Sequence, residues 1–213
     1  TVYWWNKIAA YAYRKPSPLN GFDLFNYMAL IVCARSRDYG EITFHRFCDE
    51  LEAKDKAGKY AFGDASTEKH RVTWEGIAVW TFLGATFKGL KAQGSVMTGS
   101  CYPGMWSLVY TPGDFESMAE AYTKVYINTC GSNRYEEFYK VVSNSKSDGM
   151  VMHLNRSCKL MGLLNNEGGE YVNKKMGIPF VSFDGDQTDP RVFSEAQYLN
   201  RVQALSEMMD AQA

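Results

Sequence analysis

The spacing of apolar positions changes near residue 70, which divides the chain into two kinds of structure. Before that point Phe25, Met28, Ala29 and Val32, then Phe44, Phe47, Cys48 and Leu51, recur at intervals of three and four residues, which predicts two helices within 24–51. Asp38-Tyr39-Gly40 is the predicted break between them, and Thr43 the predicted start of the second. The polar stretch 54–69, with Gly58 and Gly63, reads as a loop or boundary.

Beyond His70 short apolar runs alternate with helical stripes. Val72-Thr73-Trp74 and residues 94–98 predict strands, with a helix over 80–90 between them. Met118, Ala119, Tyr122, Val125 and Tyr126 predict one face of a helix, and Tyr135, Phe138, Tyr139 and Val142 that of another. Residues 149–154 and 178–183 are continuous apolar runs of the kind buried on both faces of a parallel sheet. Between them 163–176 predicts a helix closed by Gly177, although Gly168-Gly169 weakens it by about 1 kcal/mol per glycine relative to alanine. A last helix carries Tyr198, Leu199, Val202, Leu205, Met208 and Met209, with Asp189 as cap and Pro190 at its start.

This order predicts an α/β fold: a parallel sheet flanked by helices in a Rossmann-like three-layer domain over 70–213, preceded by a mainly helical segment over 1–69. In such sheets ligands sit beyond the carboxyl ends of the strands. Four chemically loaded segments fall there: Glu75-Gly76, Gly99-Ser100-Cys101-Tyr102-Pro103, Asn155-Arg156-Ser157-Cys158-Lys159, and residues 184–190 with Asp186 and Gln187.

Composition narrows the function. The 213 residues are 46% hydrophobic, enough for a sizeable core, and the net charge of -1 offers no field that would draw nucleic acid or an anionic membrane. No apolar run reaches the roughly 18 residues of a membrane span, and no signal-peptide pattern opens the chain. The first residue is Thr1 rather than Met, which suggests a start inside a longer gene product. Five cysteines, an odd number without any CxxC pair, point to a reducing, cytoplasmic compartment and to no self-contained zinc or four-cysteine site.

Cys158, between Arg156 and Lys159, reads either as a metal ligand or nucleophile favoured as thiolate, or as a space-filling thiol. Cys101 lacks such cations, Cys33 and Cys48 fall on apolar helical faces and are read as core, and Cys130 stays open. His153, inside an apolar run, reads as a structural histidine before it reads as a base. Asp184, Asp186 and Asp189 suit either a hard cation or a turn and helix cap. Neither GxGxxG nor GxxxxGK[ST] occurs, so any use of ATP belongs to another protein.

Residues 153–159, His-Leu-Asn-Arg-Ser-Cys-Lys, followed by Phe183-Asp184-Gly185-Asp186-Gln187-Thr188-Asp189-Pro190-Arg191-Val192-Phe193-Ser194-Glu195-Ala196-Gln197, resemble the 2-hydroxyglutaryl-CoA dehydratase and benzoyl-CoA reductase family. Trp74-Glu75-Gly76-Ile77-Ala78, and Gly99-Ser100-Cys101-Tyr102-Pro103 with Trp106, extend the likeness over most of 70–209, with 1–69 matching loosely as a middle domain. Within the family the reading lies nearest the alpha subunit of (R)-2-hydroxyglutaryl-CoA dehydratase, in its C-terminal part. The sequence departs from many relatives at Leu160-Met161-Gly162.

The resemblance implies a hydro-lyase: reductive radical syn-elimination of water from an (R)-2-hydroxyacyl-CoA. It implies a [4Fe-4S] cluster in the complete subunit with Cys158 as one ligand, the other ligands lying in a preceding domain, and it admits flavin in the complex. Implied partners are a second homologous subunit, a separate ATP-dependent iron-sulphur activator and the acyl-CoA substrate. Glu75, Ser100, Cys101, His153, Asn155, Arg156, Lys159, Asp186 and Gln187 are expected in the vicinity of substrate or cofactor. A benzoyl-CoA-type reductase subunit and a noncatalytic subunit-association or acyl-CoA-binding module are the alternatives.

Overall fold

The four predicted strands form one parallel sheet in the computed structural model, which describes residues 1–63 and 67–212. β1 (His70–Glu75), β2 (Ser95–Gly99), β3 (Gly149–Asn155) and β4 (Phe180–Gly185) lie in the order β2-β1-β3-β4. The register pairs Trp74 with Val151 and His153 with Phe183. β1, β2 and nearly all of β3 are buried along their length, as their unbroken apolar character requires.

Alternation along each strand divides the side chains between two faces. Val72, Trp74, Val151, Val181 and Phe183 join a cluster with Leu90 of α4 (Leu83–Ala92) and with Tyr198, Val202, Leu205 and Met209 of α10 (Glu195–Asp210). Met150 and Met152 face the other way, onto Phe138 and Val142 of α7 (Gly131–Ser145) and Val172 of α9 (Asn165–Met176). The glycine pair expected to weaken α9 lets it come close. A Cβ on Gly168 would stand 2.4 Å from the Phe138 ring, and one on Gly169 would stand 2.7 Å from that of Phe180.

The chain before residue 70 is helical: α1 (Val2–Tyr11), α2 (Gly21–Cys33) and α3 (Asp38–Lys56). Trp5, Ile8, Leu24, Met28, Ile31, Phe44, Phe47, Cys48 and Leu51 form their shared core, while Phe22 and Phe25 of α2 enter the sheet's cluster.

Several local expectations change. The break after α2 falls at residues 34–37, so Thr43 lies inside α3, and Gly40 serves close packing: a Cβ there would stand 2.5 Å from the Ala34 carbonyl oxygen. α3 runs on to Lys56, and residues 64–66 of the expected loop lie outside the described residues. Ala29, Val32 and Cys33 are exposed, because α2 is apolar almost all round and its buried side is the one with Phe22, Leu24, Phe25, Met28 and Ile31. α6 (Phe115–Thr123) has no buried residue and stops before Val125 and Tyr126, which are buried in the turn that follows. α10 starts at Glu195, with Ser194 capping the Gln197 amide; Phe193 must first insert into the core, so Asp189 and Pro190 belong to the preceding turn.

Candidate functional site

All four loaded segments begin at the carboxyl edge of the sheet. β1 leads to its neighbour β2 on one side and β3 to β4 on the other, so the connections diverge between β1 and β3. That divergence opens the crevice where parallel α/β sheets take ligands. Gly76 turns the chain out of β1 at φ 107°, and a Cβ there would stand 2.6 Å from the His153 carbonyl oxygen.

The loop after β3 is fastened to the loop after β4. Buried Asn155 accepts the Ser157 amide at 3.3 Å and the Gln187 amide at 3.4 Å through Oδ1, and its Nδ2 donates to Gln187 Oε1 at 3.5 Å. The Asp186 carboxylate accepts the amides of Ser157, Thr188 and Asp189, each at 2.9 Å. Hydrogen bonds from Ser157, then from the Thr188 and Asp189 amides, hold that carboxyl well below the ordinary aspartate value. This mesh presents Cys158, which is partly exposed and caps the short helix α8 (Lys159–Gly162), its carbonyl accepting the Gly162 amide at 2.9 Å.

The other expected residues do not gather round Cys158. Arg156 and Lys159 are exposed, and the Arg156 guanidinium meets exposed Asp184 at 3.3 Å. His153 is fully buried on the α10 face, stacked on Phe183 at 5.0 Å, with Nδ1 donating to the Ile77 carbonyl at 2.5 Å. Burial pushes its imidazole below the ordinary value, so the ring is neutral. Ser100 accepts the Tyr102 amide at 3.3 Å at the end of β2. Glu75 and Cys101 lie on the α7 face: the Cys101 amide donates to Glu75 Oε1 at 3.0 Å, and burial drives the Glu75 carboxyl up to about 8 and the Cys101 thiol well above its usual range.

The residues present do not fit a complete metal or cluster site. Among the described residues no three His, Cys, Asp or Glu side chains converge as a ligand set. Asp184, Asp186 and Asp189 are committed instead to Arg156, to three amides and to Arg191. Cys101 is buried on the α7 face, where burial drives its thiol well above the usual range, and it does not join Cys158 in a ligand set. A four-iron cluster needs several converging thiolates, and Cys158 is one.

Arg134 and Tyr126 were not singled out from the sequence, yet both are buried beside Glu75 and Cys101. The signal for Arg134 was its spacing: it precedes Phe138 and Val142 by four and eight residues, which sets a cation on the buried stripe of α7. Tyr126 continues the apolar spacing of α6 in the sequence, but that helix ends three residues earlier, at Thr123.

Residues 1–209 match the family model described as 2-hydroxyglutaryl-CoA dehydratase, D-component. The chain is 60% identical over 213 residues to lactoyl-CoA dehydratase subunit alpha of Anaerotignum propionicum, covering 99% of this chain and 50% of that protein. It is 42% identical over 209 residues to the (R)-2-hydroxyisocaproyl-CoA dehydratase alpha subunit of Clostridioides difficile, covering 97% and 50%. For (R)-2-hydroxyglutaryl-CoA dehydratase subunit alpha of Acidaminococcus fermentans the identity is 39% over 207 residues, covering 97% and 43%. The expected nearness to the 2-hydroxyglutaryl enzyme is thereby corrected: the lactoyl-CoA protein is much more similar. The chain spans about half the length of the curated relatives it matches. With its residues 1–209 covered by one family model, the chain belongs to the 2-hydroxyglutaryl-CoA dehydratase D-component family, among relatives that are alpha subunits of 2-hydroxyacyl-CoA dehydratases.

Proposed function

We propose that this chain forms part of the alpha subunit of a 2-hydroxyacyl-CoA dehydratase and that the short lactoyl thioester is its substrate. The observation that carries the reading is the 60% identity to the lactoyl-CoA protein along 99% of the chain. The reaction removes water across the α and β carbons of the acyl group, so lactoyl-CoA gives acryloyl-CoA. The partners in this reading are a second homologous subunit and an ATP-dependent iron-sulphur activator.

The contribution of these residues is positional. Asn155, Asp186 and the amides between them fasten the Cys158 loop, after β3, to the loop after β4. Such a scaffold suits Cys158 to donate one thiolate to a [4Fe-4S] cluster whose other ligands lie outside these residues. Arg156 and Lys159, exposed and close to Cys158 along the chain, would in this reading offset anionic charge brought there by cluster or thioester.

The test is anaerobic reconstitution of the complete subunit with its partner and reduced activator. Acryloyl-CoA should appear from lactoyl-CoA faster than the corresponding products from the 2-hydroxyglutaryl or 2-hydroxyisocaproyl thioesters. Cys158→Ser should lower iron and sulphide content and suppress turnover while leaving the circular dichroism of the chain unchanged. No enoyl product from any 2-hydroxyacyl thioester overturns the reading, and unchanged iron content in Cys158→Ser removes this cysteine from the ligand set.

A further inference from the structure

Beneath the Cys158 loop, on the α7 face, the protein buries two ionisable groups without giving either a full set of partners. Glu75 is wholly buried at the end of β1; Cys101 is its partner through both amide and thiol, Oε1 accepting the amide, while Oε2 meets no donor. Arg134 of α7 is 2% exposed, and its Nε and Nη2 meet no acceptor. Among the described residues no carboxylate closes on its guanidinium as an ion pair, and the Tyr126 ring centre lies 5.5 Å from Cζ. A buried cation without a counter-charge is costly, and so is a buried carboxylate.

The two costs have one resolution. Burial pushes the Glu75 carboxyl up to about 8 and so favours its neutral form, while Arg134 stands near enough to favour the ionised form electrostatically but does not close on it. Cys101, bonded to Glu75, and Tyr126, next to Arg134, stand between the pair and a cavity of about 250 Å³ that they line together with Ser100, Tyr13, Glu137 and Lys124 among others, with room and polar walls for water.

We propose that Glu75 is an internal proton donor and acceptor, exchanging through this cavity, with Arg134 as the counter-charge of its ionised state. Ionisation passes one proton to cavity water and leaves a carboxylate; reprotonation reverses this, and no electron moves. The groups facing Glu75 do not compete for the role. The Cys101 thiol of α5 (Cys101–Gly104) and the Tyr126 phenol are driven well up by burial, the Tyr13 phenol after α1 is raised by burial, and Glu137 and Lys124 line the outer cavity. The cluster also reaches the candidate site: the Tyr126 hydroxyl donates to Met161 Sδ at 3.0 Å, and the Met161 amide donates to the Cys158 carbonyl at 3.2 Å. The core under that loop can therefore change its charge by one without stranding an ion. This inference goes beyond the dehydratase reading and does not depend on the acyl group.

The chain as it stands, labelled with ¹³C at the glutamate carboxyls, tests the proposal by NMR titration. One resonance should titrate near pH 8 while exposed glutamates titrate in their ordinary range, and that resonance should vanish in Glu75→Gln. Arg134→Met should move its midpoint upward by roughly one unit, since an opposite charge is removed. Arg134→Lys, which keeps the charge if the methionine variant does not fold, should leave the midpoint near that of the wild type. The proposal is overturned if no glutamate titrates above the ordinary range, if the high resonance survives Glu75→Gln, or if Arg134→Lys raises the midpoint as loss of the charge should.

Discussion

Arg71 Nη2, in β1, donates to the carbonyl of Ala12 just beyond α1 at 2.9 Å. The same buried guanidinium donates to the carbonyls of Arg14 and Ser145 and to the Glu68 carboxylate, so one side chain fastens the end of α1 and the end of α7 to the inner strand β1. Arg71→Met keeps the stem but leaves three carbonyls and a carboxylate without their donor. Urea unfolding of the chain should show a loss of about 3–5 kcal/mol, the range for breaking a buried ion pair from one side. A loss below about 1 kcal/mol, as for a surface pair, counts against this account.

Glu75 makes stability fall as pH rises. Its folded value, about 8, lies above the unfolded one, so the stabilisation is complete below the unfolded value and disappears as pH passes through about 8. Over that window the native state holds a proton that the unfolded chain has released. Glu75→Gln cannot ionise, and its melting temperature should fall less between pH 5 and pH 9 than that of the wild type. Parallel pH profiles for the two proteins exclude a buried, protonated Glu75.

The sheet was legible because β1, β2 and β3 are buried on both faces, so that 149–154 reads as an almost unbroken apolar run; β4, at the edge, shares that character only in part, with Phe180 and Ser182 half-buried and Asp184 exposed. The helices were less so. α2 is apolar nearly all round, so its periodicity does not say which side faces the sheet, and Val32 and Cys33 ended outside. Pro190 suits a helix start locally, but burial of Phe193 delays the helix to Ser194. For the site, spacing located the four strand ends but not which face each side chain takes. Glu75 and His153 consequently fall on opposite sides of the sheet, and Arg134 becomes visible only when α7 is laid over β1.

Asp186 fastens the Cys158 loop as an acceptor, and Asp186→Ala should release it. Hydrogen exchange at the amides of Ser157, Thr188 and Asp189 should quicken at pH 7, while amides in β1 and β2 keep their protection. Because its folded value lies below the unfolded one, the carboxylate stabilises the fold above the unfolded value and loses this effect only as pH falls through the folded one. The loop of the wild type should therefore stay protected into mildly acidic solution. Early loss of protection near pH 5 argues against this fastening.

Gly185 ends β4 paired with Asn155, and the His153 ring leans over it. A Cβ there would stand 2.5 Å from His153 Nε2 and 3.4 Å from Cε2 of Phe183, and the imidazole cannot retreat: it is fully buried, stacked on Phe183 and tied through Nδ1 to Ile77. Gly185→Ala should therefore cost about 1–3 kcal/mol, the usual range for overpacking a core. Its carbonyl also accepts the Arg156 amide at 3.0 Å, so the strain should reach the Cys158 loop and quicken exchange at residue 156. Removing the ring separates collision from backbone conformation. In a His153→Ala background the methyl group has space, so the cost of Gly185→Ala should shrink by at least 0.5 kcal/mol, roughly the lower bound for residues in contact. Equal costs in the two backgrounds show that the ring is not what excludes a side chain at this position.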